Sequence, residues 1–246
     1  MTATAATWHD VEHGSYEADL PMWRQLAASI GGPILDLGAG TGRVAVDLAA
    51  QGHDVVALDN DPELLAELSE RSALVATVRQ DARTFDLDAE FPMIIAPMQL
   101  AQILGGHDGR LGMLQSVHAH LSPGGLFAAA LSDPHDAVPE ELVAPPLPDI
   151  IERDGWVFSS QPLSMYGQDG CVVIERRRQA VSPTGELEQE DARIELDVVS
   201  LDEFEAEARD AGLRPVARKT VGETLDHIGS TVVLCRRGGS CRSTPS

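Results

Sequence analysis

Apolar residues along this chain of 246 residues recur at two spacings, one helical and one strand-like. Leu20, Trp23, Leu26 and Ala27 keep helical spacing within "YEADLPMWRQLAAS", and Gly31-Gly32-Pro33 ends that helix. A short run, "ILDL", precedes "RVAVDLAAQG", where Val44, Leu48 and Ala49 make one helical face and Gly52 closes it. "DVVALD" reads as a second buried strand, and "NDPELLAELSERS" as a helix with Asp61 at its cap and Pro62 in its first position. "ALVATVRQD", "FPMIIAP" and "LFAAALSD" are further strands. The helix before the last of them, "GRLGMLQSVHAHLSPGG", stops at Pro-Gly-Gly. Apolar runs separated in this way by helices predict an open, mostly parallel sheet covered on both faces, with right-handed crossovers.

The pattern changes near Pro139. "VPEELVAPPLPD" is a proline-rich loop, and Trp156 to Val199 carries three strand-like runs with turn signals at Gly167–Gly170 and Pro183–Gly185. Alternation at Trp156/Phe158 and Ile194/Leu196/Val198 predicts an antiparallel flap with one wet face. "LDEFEAEARDAGL" is an amphipathic helix, followed by strands in "RPVARKTVG" and "HIGSTVVLCR" and a polar tail. One domain over 1-246 is expected: an N-terminal helical lid segment (1-32), a core around the glycine turn (33-133), the loop and flap insert (139-200), a C-terminal helix with the last two strands (201-236) and the tail (237-246).

Composition narrows the class. The chain is 43% hydrophobic and 23% charged, as folded proteins are, and its formal net charge is -21. That field repels nucleic-acid backbones and anionic membranes, so neither is an expected partner. Cys171, Cys235 and Cys241 are too few and scattered for a disulfide framework; two buried thiols and an exposed tail thiol are expected. His9 and His13 stand four apart in a terminus expected to be mobile, with no complete ligand set, so no metal is expected. "MTATAATWHDVEHGSYEAD" lacks the basic and apolar regions of a signal peptide, and no apolar run matches a bilayer, so a cytoplasmic protein is expected.

The candidate chemistry lies in "ILDLGAGTGR". A phosphate-binding GxxxxGK[ST] loop fails for want of a Lys. The dinucleotide pattern GxGxxG fails too, because Gly38, Gly40 and Gly42 make GxGxG and Arg43 fills the slot of the last glycine. Asp36 lies inside the preceding apolar run, where a buried acid needs a partner. Asp59 ends the next strand roughly 20 residues on, placed to accept both hydroxyls of a ribose. Asp81 ends the third, where a carboxylate can accept from an adenine amino group.

Gly38 to Gly42, Asp59 and Asp81, with "LSPGGLF" before the fifth strand, resemble the class I S-adenosylmethionine-dependent methyltransferases. The likeness covers about Pro33 to Asp133 and, more loosely, Leu201 to Arg236. It implies an α/β fold with a Rossmann-like seven-stranded sheet, mostly parallel with an antiparallel last strand, and S-adenosyl-L-methionine as cofactor. Residue by residue, it implies that Gly38, Ala39, Gly40 and Gly42 carry the methionine part and ribose. Asp36 would orient the amino group or a water, Asp59 bind the ribose, Asn60 flank the adenine, and Asp81 and Ala82 meet its edge. Met98 would line the pocket beside the sulfur, Tyr16 reach the cofactor carboxylate from the lid, and Arg43 either face the cofactor or stand exposed.

On the acceptor side the chain departs from the base- and glutamine-methylating members. "APMQLAQIL" has neither the acid nor the aromatic of their Asn/Asp-Pro-Pro-aromatic motif, and no Pro-Cys dipeptide occurs. His135, in "SDPHD", is the candidate general base, with Asp133 beside it, His227 a weaker alternative, and Gln99, Gln102 and Tyr16 as acceptor-side polar groups. The flap resembles the lid of small-molecule methyltransferases, and Trp156, Phe158, Met165 and Tyr166 are its candidate pocket walls. The expected activity is methyl transfer to O or N of a small organic acceptor. A nicotinamide-dependent oxidoreductase and a non-catalytic cofactor-binding protein are the alternatives, and the flap could also carry a dimer contact.

Overall fold

The computed structural model describes residues 3–132, 147–224 and 228–238. Its main sheet has seven strands in the order β10-β11-β5-β4-β1-β2-β3. These are β1 (Ile34–Leu37), β2 (Val55–Asp59), β3 (Val75–Arg79), β4 (Phe91–Ala96), β5 (Leu121–Leu131), β10 (Leu213–Val221) and β11 (Ser230–Arg237). The first five pair in parallel, whereas β11 runs antiparallel to both β5 and β10. The sheet is therefore the one the strand pattern and the resemblance imply. Its order reverses between β1 and β4, the place where an open α/β sheet leaves a crevice beyond its strand ends.

Helices α2 (Leu20–Ile30) and α3 (Arg43–Ala50) cover one face, packing Trp23, Leu26, Val44 and Leu48 on β1 and β4. Helices α5 (Gly106–His120) and α6 (Leu201–Asp210) cover the other with Met113, Leu114, Val117, Phe204 and Ala208. On the α2/α3 face α4 (Pro62–Arg71), whose Leu68 joins the same core, starts on an Asp61 side-chain cap with Pro62 in its first turn, as its sequence predicts.

Two elements differ from the sequence expectation. The polar start contains a helix, α1 (Ala5–His13), opened by a Thr4–Thr7 capping box. The flap has four antiparallel strands rather than three: β6 (Asp149–Arg153), β7 (Trp156–Gln168), β8 (Cys171–Val181) and β9 (Leu187–Asp197), in that order. The extra strand, "DIIER", hides behind a proline-rich stretch and is too short and half-exposed to show a clear period. Cys171 is only half-buried, donating to Asp197 at 3.5 Å, while Cys235 is buried as expected. No helix among the described residues is long and apolar enough to cross a membrane.

Candidate active site

The glycine turn joins β1 to α3 at the point where the sheet order reverses. All three of its glycines are left-handed, with φ of 62°, 57° and 92° at Gly38, Gly40 and Gly42. A β-carbon at Gly40 would lie 2.2 Å from His9 Nε2, and one at Gly38 would lie 2.7 Å from Leu100 Cδ1. Glycine is thus demanded twice, by conformation and by close approach. The side chains that approach come from α1 and from a 3-10 turn (Leu100–Gln102) after β4, so the protein itself packs onto this side of the loop.

Asp59 fixes the loop. Its Oδ2 accepts from the Gly40 amide at 2.9 Å and its Oδ1 from the Asp61 amide at 3.0 Å. Asp36 is 1% exposed, and neither of its carboxyl oxygens meets a hydrogen-bond donor among the described residues. Burial pushes its carboxyl up to about 8, and Asp59 and Asp19 add to this; the Arg43 charge opposes it, as does the nearby Ala45 amide, which falls short of hydrogen-bond geometry. A buried acid in that state calls for a cationic or hydrogen-donating ligand. An ammonium group and a ribose diol meet both needs, so these residues fit an adenosyl amino-acid cofactor.

The remaining predicted positions spread around this centre. Asn60 is exposed beyond β2, and Ala82 is buried under the β3–β4 connection. Asp81 is paired with Arg83, whose Nε donates to its Oδ1 at 2.9 Å and whose Nη2 donates to its Oδ2 at 2.6 Å. Met98 has φ of 54°, a conformation costly for a side-chain-bearing residue, immediately after β4. Beside it Gln99 Nε2 donates to Ser132 Oγ at 3.4 Å, linking the ends of β4 and β5.

Three expectations change. Arg43 is neither exposed nor facing the crevice: Nη1 and Nη2 donate to the Asp19 carboxylate at 2.6 and 2.8 Å, and Nη1 donates to the Tyr16 carbonyl at 2.7 Å. Tyr16 is buried, with the Arg43 guanidinium 5.1 Å from its ring centroid; burial raises its hydroxyl, which hydrogen-bonds Ser230. Gln102 is fully buried and ties β5 to the flap, donating to the Ser132 and Asp197 carbonyls at 3.0 and 3.2 Å, which leaves it no group for an acceptor. His135, Asp133 and His227 lie outside the described residues.

The covering elements carry residues that sequence reasoning missed. On the flap, Phe158 and stacked Trp156 pack against Trp8 of α1, so both aromatics close the lid on the helix rather than lining an open pocket. Tyr166 is exposed and donates to Glu175 at 3.2 Å. Glu12 of α1 is 3% exposed as a side chain and accepts from Arg178 Nε at 2.7 Å and Ser160 Oγ at 2.7 Å. Burial opposes its charge, but the Arg178 and Ser160 hydrogen bonds and the Arg178 and Arg176 charges outweigh that and hold its carboxyl below the usual range. Asp10 likewise joins α1 to Arg71 of α4 and, at 2.7 Å, to Arg153 of β6. The lid helix is therefore latched to core and flap together. At the root of the flap, Asp197 of β9 accepts from the Gly106 amide at 2.6 Å and from Arg110 at 3.1 Å. His9 and His13 lie within helix α1, their ring centroids 5.0 Å apart, and burial lowers the pKa of both.

Comparison with known proteins agrees with this arrangement. Residues 34–125 match the family model described as "Methyltransferase domain". No curated protein sequence matches the chain. Among solved structures it is similar to the sugar N-methyltransferase KedS8 of a Streptoalloteichus species, with a TM-score of 0.80 and 16% identity over 97% of this chain and 95% of that one. It is similar also to CalS10, an amino pentose methyltransferase from Micromonospora echinaspora, with a TM-score of 0.72 and 19% identity over 96% and 98%. The glycopeptide N-methyltransferase MtfA gives a TM-score of 0.62 and 22% identity over 94% and 91%. Residues 34–125 are a methyltransferase domain, and the chain around it completes the class I S-adenosylmethionine-dependent methyltransferase fold.

Proposed function

We propose that this methyltransferase transfers the methyl group of S-adenosylmethionine to the amino nitrogen of a small, hydroxyl-rich acceptor of amino-sugar type. The observation that carries the donor is the buried, unpartnered Asp36 beside the Asp59-braced glycine turn at the sheet's reversal point. The small acceptor is read from the lid, α1, which is tied both to α4 of the core and to the flap beside the glycine turn. The nitrogen and the sugar class rest on likeness to the sugar and amino pentose enzymes, whose structures match 97% and 96% of this chain.

The bound donor supplies an electrophilic methyl on a sulfonium. The chain's own work is to bind, to align and to exclude water. Asp59 and the loop amides hold the ribose end, and Asp36 holds the ammonium. Met98 and Gln99, which follow β4, with Gln99 bonded to Ser132 at the end of β5, are assigned to the acceptor side. Incubating the protein with methyl-labelled S-adenosylmethionine and a panel of amino sugars, their hydroxyl-only counterparts, tRNA and cell protein tests this. Label on the amine of an amino sugar is expected. Label confined to hydroxyl-only sugars, tRNA or protein would refute the assigned acceptor.

A further inference from the structure

His9 occupies a place no sequence motif marks. Its Nδ1 lies 3.1 Å from Thr41 Oγ1, and the Thr41 hydroxyl donates its one hydrogen to Asp10 Oδ1 at 2.8 Å. Asp10 is ionised: burial opposes its charge, but hydrogen bonds from Arg71 and Thr41, with Arg153 adding to them, outweigh burial and hold its carboxyl below the usual range. A carboxylate cannot donate and the Thr41 hydrogen is spent, so His9 Nδ1 must donate to Thr41. The imidazole is then fixed as the Nδ1–H tautomer, with its lone pair on Nε2. Nε2 is the His9 atom nearest Gly40, whose amide on the other side is held by Asp59. No group among the described residues donates to it.

Two acceptors, His9 Nε2 and the Asp59 carboxylate, therefore flank one glycine of the cofactor loop. We propose that His9 is a further cofactor-binding residue, its Nε2 accepting a hydrogen bond from a hydroxyl or ammonium of the methyl donor, with Asp10 and Thr41 as positioning residues that set its tautomer. Because His9 belongs to α1, and α1 is latched to the flap through Glu12 and Asp10, filling the site and seating the lid become one event. The inference rests on the donor identity proposed above.

Calorimetric titration with S-adenosylhomocysteine tests it, using native protein and the variants His9→Gln, His9→Asn, His9→Leu and Thr41→Val, each first shown to be folded by its thermal transition. Gln restores an acceptor near the Nε2 position and should bind within about threefold of native. Leu, and Asn, which replaces only the Thr41 contact, should weaken binding about tenfold, and Thr41→Val by a smaller factor. Amide exchange over residues 5–13 should slow on ligand binding in native and His9→Gln protein, and not in His9→Leu. Leu binding as tightly as native, or more tightly, would overturn the role of His9 and leave the donor assignment standing. Native protein that fails to bind S-adenosylhomocysteine would overturn both.

Discussion

Asp36 shares β1 with three aliphatic residues, and burial holds its carboxyl at about 8. In the unfolded chain it ionises in the ordinary carboxylate range, so folding takes up a proton between about pH 4 and pH 8. Its folded value is raised, so its contribution to stability is greatest below the unfolded value, is lost as pH rises through this window, and is flat above it. Asp36→Asn should therefore raise the melting temperature of ligand-free protein by about 3–6 °C at pH 8, a gain that shrinks toward pH 5. The same substitution should weaken S-adenosylhomocysteine binding in a titration. A variant that melts like native across this range would show that the carboxyl is not held neutral. Asp59→Ala removes the acceptor of two loop amides as well as the proposed ribose contact, and an affinity loss of about a hundredfold is expected. An ordinary dissociation constant would refute the ribose assignment. Both acids are legible in sequence, one as an acid inside an apolar run and the other as an acid at a strand end. The partner of Arg43 was not, since Asp19 lies across a turn whose shape local spacing does not reveal.

At the scale of elements, what could be read was what is locally periodic. Strands of the parallel sheet are apolar runs, and α2, α3, α4 and α6 have apolar faces with a side-chain cap or a glycine at or just past an end; α5 instead ends at His120 and passes directly into β5, which takes in the Pro-Gly-Gly expected to stop it. Helix α1 has neither signal in full, because Asp10 and Glu12 are buried along with Ala6, Trp8 and Val11. Those acids are satisfied by Arg71, Arg153 and Arg178, far along the chain, which makes a buried helix face look polar in sequence. The latch is correspondingly costly to break. Glu12→Met leaves Arg178 and Arg176 facing a buried apolar side chain and should lower unfolding stability by about 3–5 kcal/mol, read from urea midpoints. The double variant Glu12→Met/Arg178→Met should recover most of that loss. A single variant as stable as native would mean that the pair does not hold the lid.

For the molecule as a whole, the net charge of -21 bears on encounter rather than on fold. A protonated amine is drawn toward such a surface, so kcat/KM for an amino-sugar acceptor should fall several-fold as salt rises from low to high concentration. Turnover of a neutral acceptor should change little. Equal salt dependence for both would remove electrostatic steering from the account. The sheet order, its reversal between β1 and β4 and the glycine turn at that point together define the crevice, and the lid helix beside it is tied to the flap. The most direct test of the central claim is a pair of titrations on native protein, one with S-adenosylhomocysteine and one with NADH. Saturable one-to-one binding of S-adenosylhomocysteine with none of NADH is predicted; binding of NADH without S-adenosylhomocysteine would contradict the account.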